Sequence, residues 1–171
     1  MKKLMVALMV VVITSFSTNA QNVISVIRGQ ALEMVRALQK KDVPTLLKYI
    51  HPKMLEMAGG TDKLIRQMDT MKVMAKQFGA EIKRINIGMP EKIVTYKKEM
   101  QTVIPETTEL TSAFGDLSLE TSLVVISSDD GKTWKFIDTG ISSVKDLRKA
   151  MPELSPELII PSRKEPKFTP R

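Results

Sequence analysis

Residues 127–136 read SSDDGKTWKF, and this stretch indicates the hairpin around which the rest of the chain is arranged. Apolar β-formers precede it at 123–126, and an aromatic run follows at 134–137. Asp130-Gly131 at its centre is a strong turn signal, because glycine tolerates positive φ and such turns match the twist of paired strands. The sequence therefore predicts a two-residue turn between two antiparallel strands of fixed register.

The same stretch resembles an Asp box, the hairpin signature that is repeated around sialidase-like propellers. The matching residues are Ser127, Asp129, Gly131, Thr133 and Trp134. In those proteins the box is a structural turn held by its own side chains, away from the catalytic centre, so the resemblance implies turn geometry and no chemistry. A propeller needs one such unit in each blade, and this chain carries one copy without a repeat period. We interpret it as a lone structural hairpin, with a sialidase fragment as the alternative.

The first twenty residues have the composition of a cleavable export signal. Two lysines precede an apolar run at 4–13, which is too short to span a bilayer comfortably, and small residues precede Gln21. We therefore expect residues 1–20 to be removed and the exported protein to be periplasmic or extracellular. An uncleaved amphipathic anchor is the alternative. A lipid-anchored form needs a cysteine, and the chain has none.

Composition excludes several classes of protein and site. The chain has no cysteine and one histidine, which excludes disulfide-stapled scaffolds, cysteine nucleophiles and zinc sites of the usual type. It also lacks a glycine-rich phosphate loop and a Gly-x-Ser-x-Gly elbow. The net charge is +7, but the basic pairs are scattered among acids without interleaved aromatic residues. We therefore expect no metal, no cofactor and no nucleic-acid partner, and no membrane span after residue 20.

Helical periodicity fills the chain from 23 to 78. A first amphipathic helix is predicted at 23–40, a second begins after Asp42, and a short one runs from Pro52 to Met57. Gly59-Gly60 precedes a third amphipathic helix at about 61–78. The residues of that helix expected to face inward are Leu64, Ile65, Met68, Met71, Met74, Ala75 and Phe78.

From Ala80 the period changes to that of strands. Strands are predicted at 80–87, at 93–104 and at 117–127, with a loop or a frayed hairpin at 105–115. A short helix follows Ser142 and ends before Pro152. The tail at 152–171 is rich in proline, yet its apolar segment 158–160 is expected to dock, leaving only the residues beyond Phe168 loose.

These elements predict one α+β domain at 21–151 followed by the tail. Its helices pack on one face of a curved antiparallel sheet, and the C-terminal helix and tail close the edge. The element order resembles the nuclear transport factor two-like superfamily, also called SnoaL-like or cystatin-like, and in particular its small exported bacterial members. The resemblance covers 23–139 and depends on the long bent strand at 93–104. It implies a cone with an open end that often holds a small apolar ligand, and a homodimer formed through the sheet.

The resemblance also indicates which residues would line such a cone. They are Met34, Met54, Met68, Met71, Tyr96 and Met100. Thioethers adapt to irregular apolar ligands, although methionines at helical spacing also simply fill gaps in a core. Enzymes of the superfamily place an aspartate base and a polarising tyrosine in the cone, for which Asp69, Tyr49 and Tyr96 are the candidates here. Glu56 and His51 complete the small pool of titratable groups.

No matched acid–base pair is visible among these residues. The leading hypothesis is therefore an exported, non-enzymatic domain that binds a small apolar ligand or a protein partner in the bacterial envelope. A lyase or isomerase acting in the cone, and a structural or dimerising module, are the alternatives.

Overall fold

A computed structural model describes residues 2–171, with the side chains of 21–140 and 142–171. Four helices come first: α1 (Lys2–Lys40), α2 (Val43–Tyr49), α3 (Pro52–Met57) and α4 (Thr61–Gln77). The strands are β1 (Glu81–Ile87), β2 (Val94–Tyr96), β3 (Glu99–Ser112), β4 (Gly115–Ser127), β5 (Lys135–Asp138) and β6 (Lys167–Pro170). A 3-10 turn at Thr139–Ile141 and helix α5 (Val144–Ala150) lie between β5 and β6. The protein is thus α+β, with its helices N-terminal to an open antiparallel sheet and a short helix after it.

Residue 1 and the side chains of residues 2–20 lie outside the described part of the structure. The predicted export signal consists of these residues. Cleavage before Gln21 therefore stays a prediction. Within the described residues, every helix is too short or too polar to cross a membrane.

The sheet is built on the long hairpin of β3 and β4, which are paired from Met100–Ser127 to Ser112–Gly115. In what we call the proximal half of the hairpin, β2 pairs with β3 and β5 pairs with β4. In the distal half, near the hairpin tip, β1 pairs with β3 and β6 pairs with β4. Each half of the sheet is therefore four strands wide.

Both faces of the proximal half are covered. On the face that we call the α1 face, the α1 residues Ile27, Ala31 and Val35 pack against Ile104 and Val125. On the opposite face, the C-terminal residues Leu147, Met151, Leu154, Leu158 and Ile160 pack against Val103, Val124, Ile126 and Ile137. The prediction that α5 and the tail close only the edge of the sheet is wrong, because they form a second covering layer.

Buried Gln101 ties this layer to the sheet. Its side-chain amide donates to the carbonyl of Glu153 at 3.0 Å, and its side-chain oxygen accepts from the amide of Ser155 at 2.8 Å. Gln30 of α1 does the same on the other side: its amide group donates to the carbonyl of Lys132 at 2.9 Å and its oxygen accepts from the amide of Trp134 at 2.8 Å. Each of the two layers is thus held by its own glutamine side chain, which satisfies two backbone groups.

The prediction of one strand at 93–104 is wrong. The single strand at 93–104 is a hairpin, because the chain reverses at Lys97 and Lys98, whose φ values are 47° and 68°. Lysine seldom adopts positive φ, so no sequence signal marked this turn. Of the two alternatives for 105–115, a loop or a frayed hairpin, the structure has the hairpin: the segment is the distal half of β3, its tip and the start of β4. Pro105 has no N–H to donate, but its carbonyl accepts from the amide of Gly88 at 2.9 Å.

The connection between β4 and β5 is longer than the predicted two-residue turn, and it spans residues 128–134. Asp130 and Gly131 lie at its tip with φ values of 58° and 83°. The hydroxyl of Ser127 accepts from the amide of Gly131 at 3.0 Å, and the carboxylate of Asp129 accepts from the amide of Thr133 at 2.9 Å and from its hydroxyl at 2.7 Å. These side chains satisfy the backbone amides that a shorter turn would pair across the strands.

Trp134 closes the same turn. It is fully buried, and its indole N–H donates to the carbonyl of Gly131 at 3.0 Å. The side chain therefore fills the core beneath the turn while its polar atom is satisfied.

Candidate functional site

The predicted cone-lining residues do not form one pocket. Four of them fill gaps around the core clusters: Met34, Met54, Met68 and Met100. Met71 is 63% exposed, so its predicted inward orientation is wrong. Tyr96 lies at the β2–β3 turn with the ammonium of Lys97 5.4 Å from its ring centroid. The structure has a cavity at the distal half of the sheet, and none of these six residues lines it.

The candidate catalytic residues are equally separate. Asp69 is exposed on α4, which contradicts a role as a buried base. Tyr49 packs edge-on against Phe136 with ring centroids 6.3 Å apart, and burial together with Glu33 raises the pKa of Tyr49 to about 12. The phenol therefore stays protonated over the ordinary pH range.

The other two titratable candidates have local structural roles. The Nδ1 atom of His51 accepts from the amide of Lys53 at 3.1 Å and so caps α3, which explains the histidine before Pro52. Glu56 forms an ion pair with Lys53 at 2.8 Å. Neither side chain is positioned to act on a ligand in the cavity.

An apolar line of side chains crosses the distal half of the sheet instead. Ile82, Leu110, Leu117 and Phe168 are successive register partners on β1, β3, β4 and β6, so they share one face. Leu110 is an even number of residues from Ile104, which places the line on the α1 face. The two outer members, Ile82 and Phe168, remain 49% and 55% exposed.

A cavity of about 240 Å³ lies at this line. Its apolar lining comes from the end of α4, the hairpin tip and the last strand: Phe78, Ala80, Leu110, Phe114, Leu117 and Phe168. The rings of Phe78 and Phe114 are 59% and 68% exposed. Sequence reasoning missed this site because it placed Phe78 in the core, assigned Phe114 to a loop or frayed hairpin and left the residues beyond Phe168 loose. That last prediction is wrong, because Thr169 and Pro170 pair with β4.

The apolar surface continues from the cavity along α4. Met71, Met74 and Phe78 follow one another at helical spacing and are 63%, 52% and 59% exposed. The prediction that they face inward is wrong; the residues of α4 that pack in a core cluster beside α2 are Leu64 and Met68, in its first half. We call the set Met71, Met74, Phe78, Ile82, Phe114 and Phe168 the distal apolar surface.

Lys72 and Lys76 lie about 100° or more around α4 from Met71 and Phe78, on a different side of the helix. The ammonium of Lys41 lowers the pKa of Lys72, which indicates a concentration of positive charge there. The positive charge of α4 is therefore separate from the distal apolar surface.

Two carboxyl groups on the α1 face are a further feature that sequence reasoning missed. Burial, with the nearby Asp138 carboxylate, raises the pKa of Glu106 to about 7. Burial also raises the pKa of Asp138, whose carboxylate accepts from the amide of Gly140 at 2.7 Å. Such pairs occur at acid–base sites, but neither residue lines the cavity. In the described part of the chain, no group of three or more such side chains could hold a metal ion.

Comparison of the chain with protein-family models, with curated proteins and with solved structures finds no match. The interpretation of the site therefore depends on its own geometry.

Proposed function

We propose that this protein is a non-enzymatic binding module of the bacterial envelope that receives a protein partner on the distal apolar surface. The observation that carries the proposal is the exposure of Phe78 and Phe114 around an apolar cavity. Contiguous exposed apolar residues of this kind are costly in water and typically mark interaction sites.

The size of the cavity favours a protein partner over a small ligand. Pockets for small molecules usually enclose about 300–1,000 Å³, whereas this cavity encloses about 240 Å³ and is continuous with the exposed side of α4. One apolar side chain of a partner fits the cavity while neighbouring residues cover Met71 and Met74.

Export and family membership are part of the proposal. The composition of residues 1–20 supports export to the periplasm or beyond. Membership of the nuclear transport factor two-like superfamily is supported only by the order of helices before the sheet. The predicted bent strand at 93–104 gives no support, because this segment is a hairpin of β2 and β3. The lyase or isomerase alternative loses support because Asp69 is exposed and Tyr49 packs elsewhere.

The proposal is tested by quantitative enrichment from envelope extracts of the native host. The variant Phe78→Ser/Phe114→Ser is compared with the wild type and with Ile159→Ser, a matched control at an apolar residue that is 75% exposed on the tail. We expect specific partners to be retained by the wild type and the control, and to fall about 10-fold or more with the double variant, as for a hot spot. Equal retention by all three proteins would contradict the proposal. A small molecule found bound by native mass spectrometry would favour the ligand alternative.

A further inference from the structure

The last strand, β6, is attached to the domain differently from every other strand. All four of its residues are exposed, and the connecting segment 161–166 is exposed and has no regular structure. The segment begins directly after Ile160, which is 9% exposed and anchored in the core. The chain is thus firmly held up to Ile160 and lies on the surface from there to its end.

The site that β6 occupies is nevertheless specific for an extended segment. Residues 167–170 pair with 115–118 of β4. A Cβ on Gly115 would lie 2.3 Å from the carbonyl oxygen of Thr169 and 2.9 Å from the Cα of Pro170, so the approach requires glycine at this position. The ring of Phe168 contributes to the wall of the distal cavity.

Charge adds to this specificity. The Glu120 carboxylate accepts from the ammonium groups of Lys164 at 2.6 Å and Lys167 at 2.5 Å. At the other end, the Arg171 guanidinium lies 3.7 Å from Asp116 and donates to the hydroxyl of Thr111 at 2.8 Å. The edge of β4 therefore recognises an extended segment that is basic and carries one aromatic side chain.

The contacts that hold β6 are individually weak. The ion pairs of Lys164, Lys167 and Arg171 are made by side chains that are 65–71% exposed, and such pairs contribute little to stability. A four-residue ladder that is exposed and joined to the domain by an exposed segment opens far more readily than the core. When β6 leaves, the edge of β4 is bare and accepts another strand.

We propose that β6 is exchanged between two copies of this chain, the C-terminal strand of each copy pairing with β4 of the other. The segment that fits the β4 edge is carried by every copy, so the exchanged arrangement makes the same contacts as the closed one. The six residues 161–166 span about 20 Å when extended, which allows β6 to leave its own β4 while Ile160 stays in place. The exchange does not depend on which partner binds the distal apolar surface.

Single cysteine substitutions test the exchange, because the chain has no cysteine of its own. Ser118 and Lys167 are register partners on β4 and β6. The full-length variants Ser118→Cys and Lys167→Cys are mixed at equal concentration, incubated and mildly oxidised. A disulfide that joins the two variants forms across this pair only when β6 of one copy lies on β4 of another. The products are measured by intact mass spectrometry without reduction.

The matched control replaces Ser118→Cys by Lys92→Cys, whose side chain is 78% exposed and pairs with Glu157, away from this edge. We expect the Ser118→Cys mixture to give at least about 5-fold more mixed disulfide than the Lys92→Cys mixture, since pairing aligns the two thiols. Equal yields from the two mixtures would overturn the proposal.

A second measurement uses a chain that ends at Ser162, which retains Leu158 and Ile160 in the core but lacks Lys164 and Lys167. A labelled peptide of residues 163–171 is added, and its binding is measured by fluorescence anisotropy. We expect binding that Glu120→Gln weakens about 3- to 10-fold, because two ion pairs are lost. Failure of the peptide to bind would overturn the proposal. Binding without any mixed disulfide in full-length protein would also overturn it, by showing that β6 stays on its own chain.

Discussion

Glu106 on β3 is a partly buried carboxyl group near the carboxylate of Asp138. Its pKa is raised to about 7 by burial and by Asp138, so the folded protein favours the protonated carboxyl. The stability that neutral Glu106 contributes is complete below its ordinary pKa of 4.5 and is lost as pH rises through about 7. The free energy of unfolding of the wild type should therefore fall as pH rises from 4.5 to about 7.

The corresponding variant is Glu106→Gln, which keeps the shape of the side chain without a charge. We expect it to match the wild type near pH 4 and to be about 1–3 kcal/mol more stable at pH 8, measured by urea unfolding. Glu109→Gln is the control, because Glu109 forms an exposed ion pair with Arg84 at 2.8 Å. If wild type and Glu106→Gln lose stability in parallel between pH 4 and pH 8, the buried carboxyl is not the cause.

Ser127 tests the turn at the end of β4. Its buried hydroxyl accepts from the amide of Gly131, which would be left without a partner in Ser127→Ala. We expect a loss of about 1–3 kcal/mol in the free energy of unfolding, the usual cost of an unsatisfied buried donor. Ser128→Ala, at the exposed neighbouring position, should change it by less than about 0.5 kcal/mol. Equal effects at the two serines would show that the turn does not depend on this bond.

Among the elements, the tail segment that follows α5 should behave as part of the core. Leu158 is 4% exposed and Ile159 is 75% exposed, so the two neighbours provide a matched pair. We expect Leu158→Ala to cost about 2–4 kcal/mol in unfolding free energy and Ile159→Ala to cost little, measured by thermal or urea unfolding. Similar small effects at both positions would mean that the tail does not cover the sheet.

The elements that could be predicted from the sequence are those with a local chemical signal. Asp42 and the glycines around α4 mark helix ends, and Asp130-Gly131 marks a reversal. The turn at Lys97-Lys98 has no such signal, because it is set by the pairing of β2 with β3. The distal half of β3 was predicted only as a loop or frayed hairpin, because Leu110 is the one apolar residue among the threonines and glutamates that follow Pro105 in the strand.

In the whole molecule, the two halves of the sheet differ in what covers them. The proximal half lies between α1 on one face and α5 with the tail on the other, and it contains the fully buried residues Trp134, Val124 and Ile104. The distal half carries exposed apolar side chains such as Phe114. Stability is therefore concentrated in one half, and the surface available for binding lies in the other.

The candidate site could not be predicted from the sequence, because its residues come from α4, the hairpin tip and β6. Helical periodicity correctly placed Met71 and Phe78 on one side of α4, but periodicity does not tell whether another layer covers that side. The predicted pocket failed for the same reason, since Met34 and Met100 meet neighbours that fill the core.

The most direct test of the central claim is site-specific photo-crosslinking in cells of the native host. A photoreactive phenylalanine analogue replaces Phe114 at the hairpin tip, or Ile159 on the tail as the control; the side chains there are 68% and 75% exposed. We predict that irradiation yields a discrete crosslinked protein species from position 114 and none from position 159. The same species from both positions, or none from position 114, would contradict the assignment of the distal apolar surface as the binding surface.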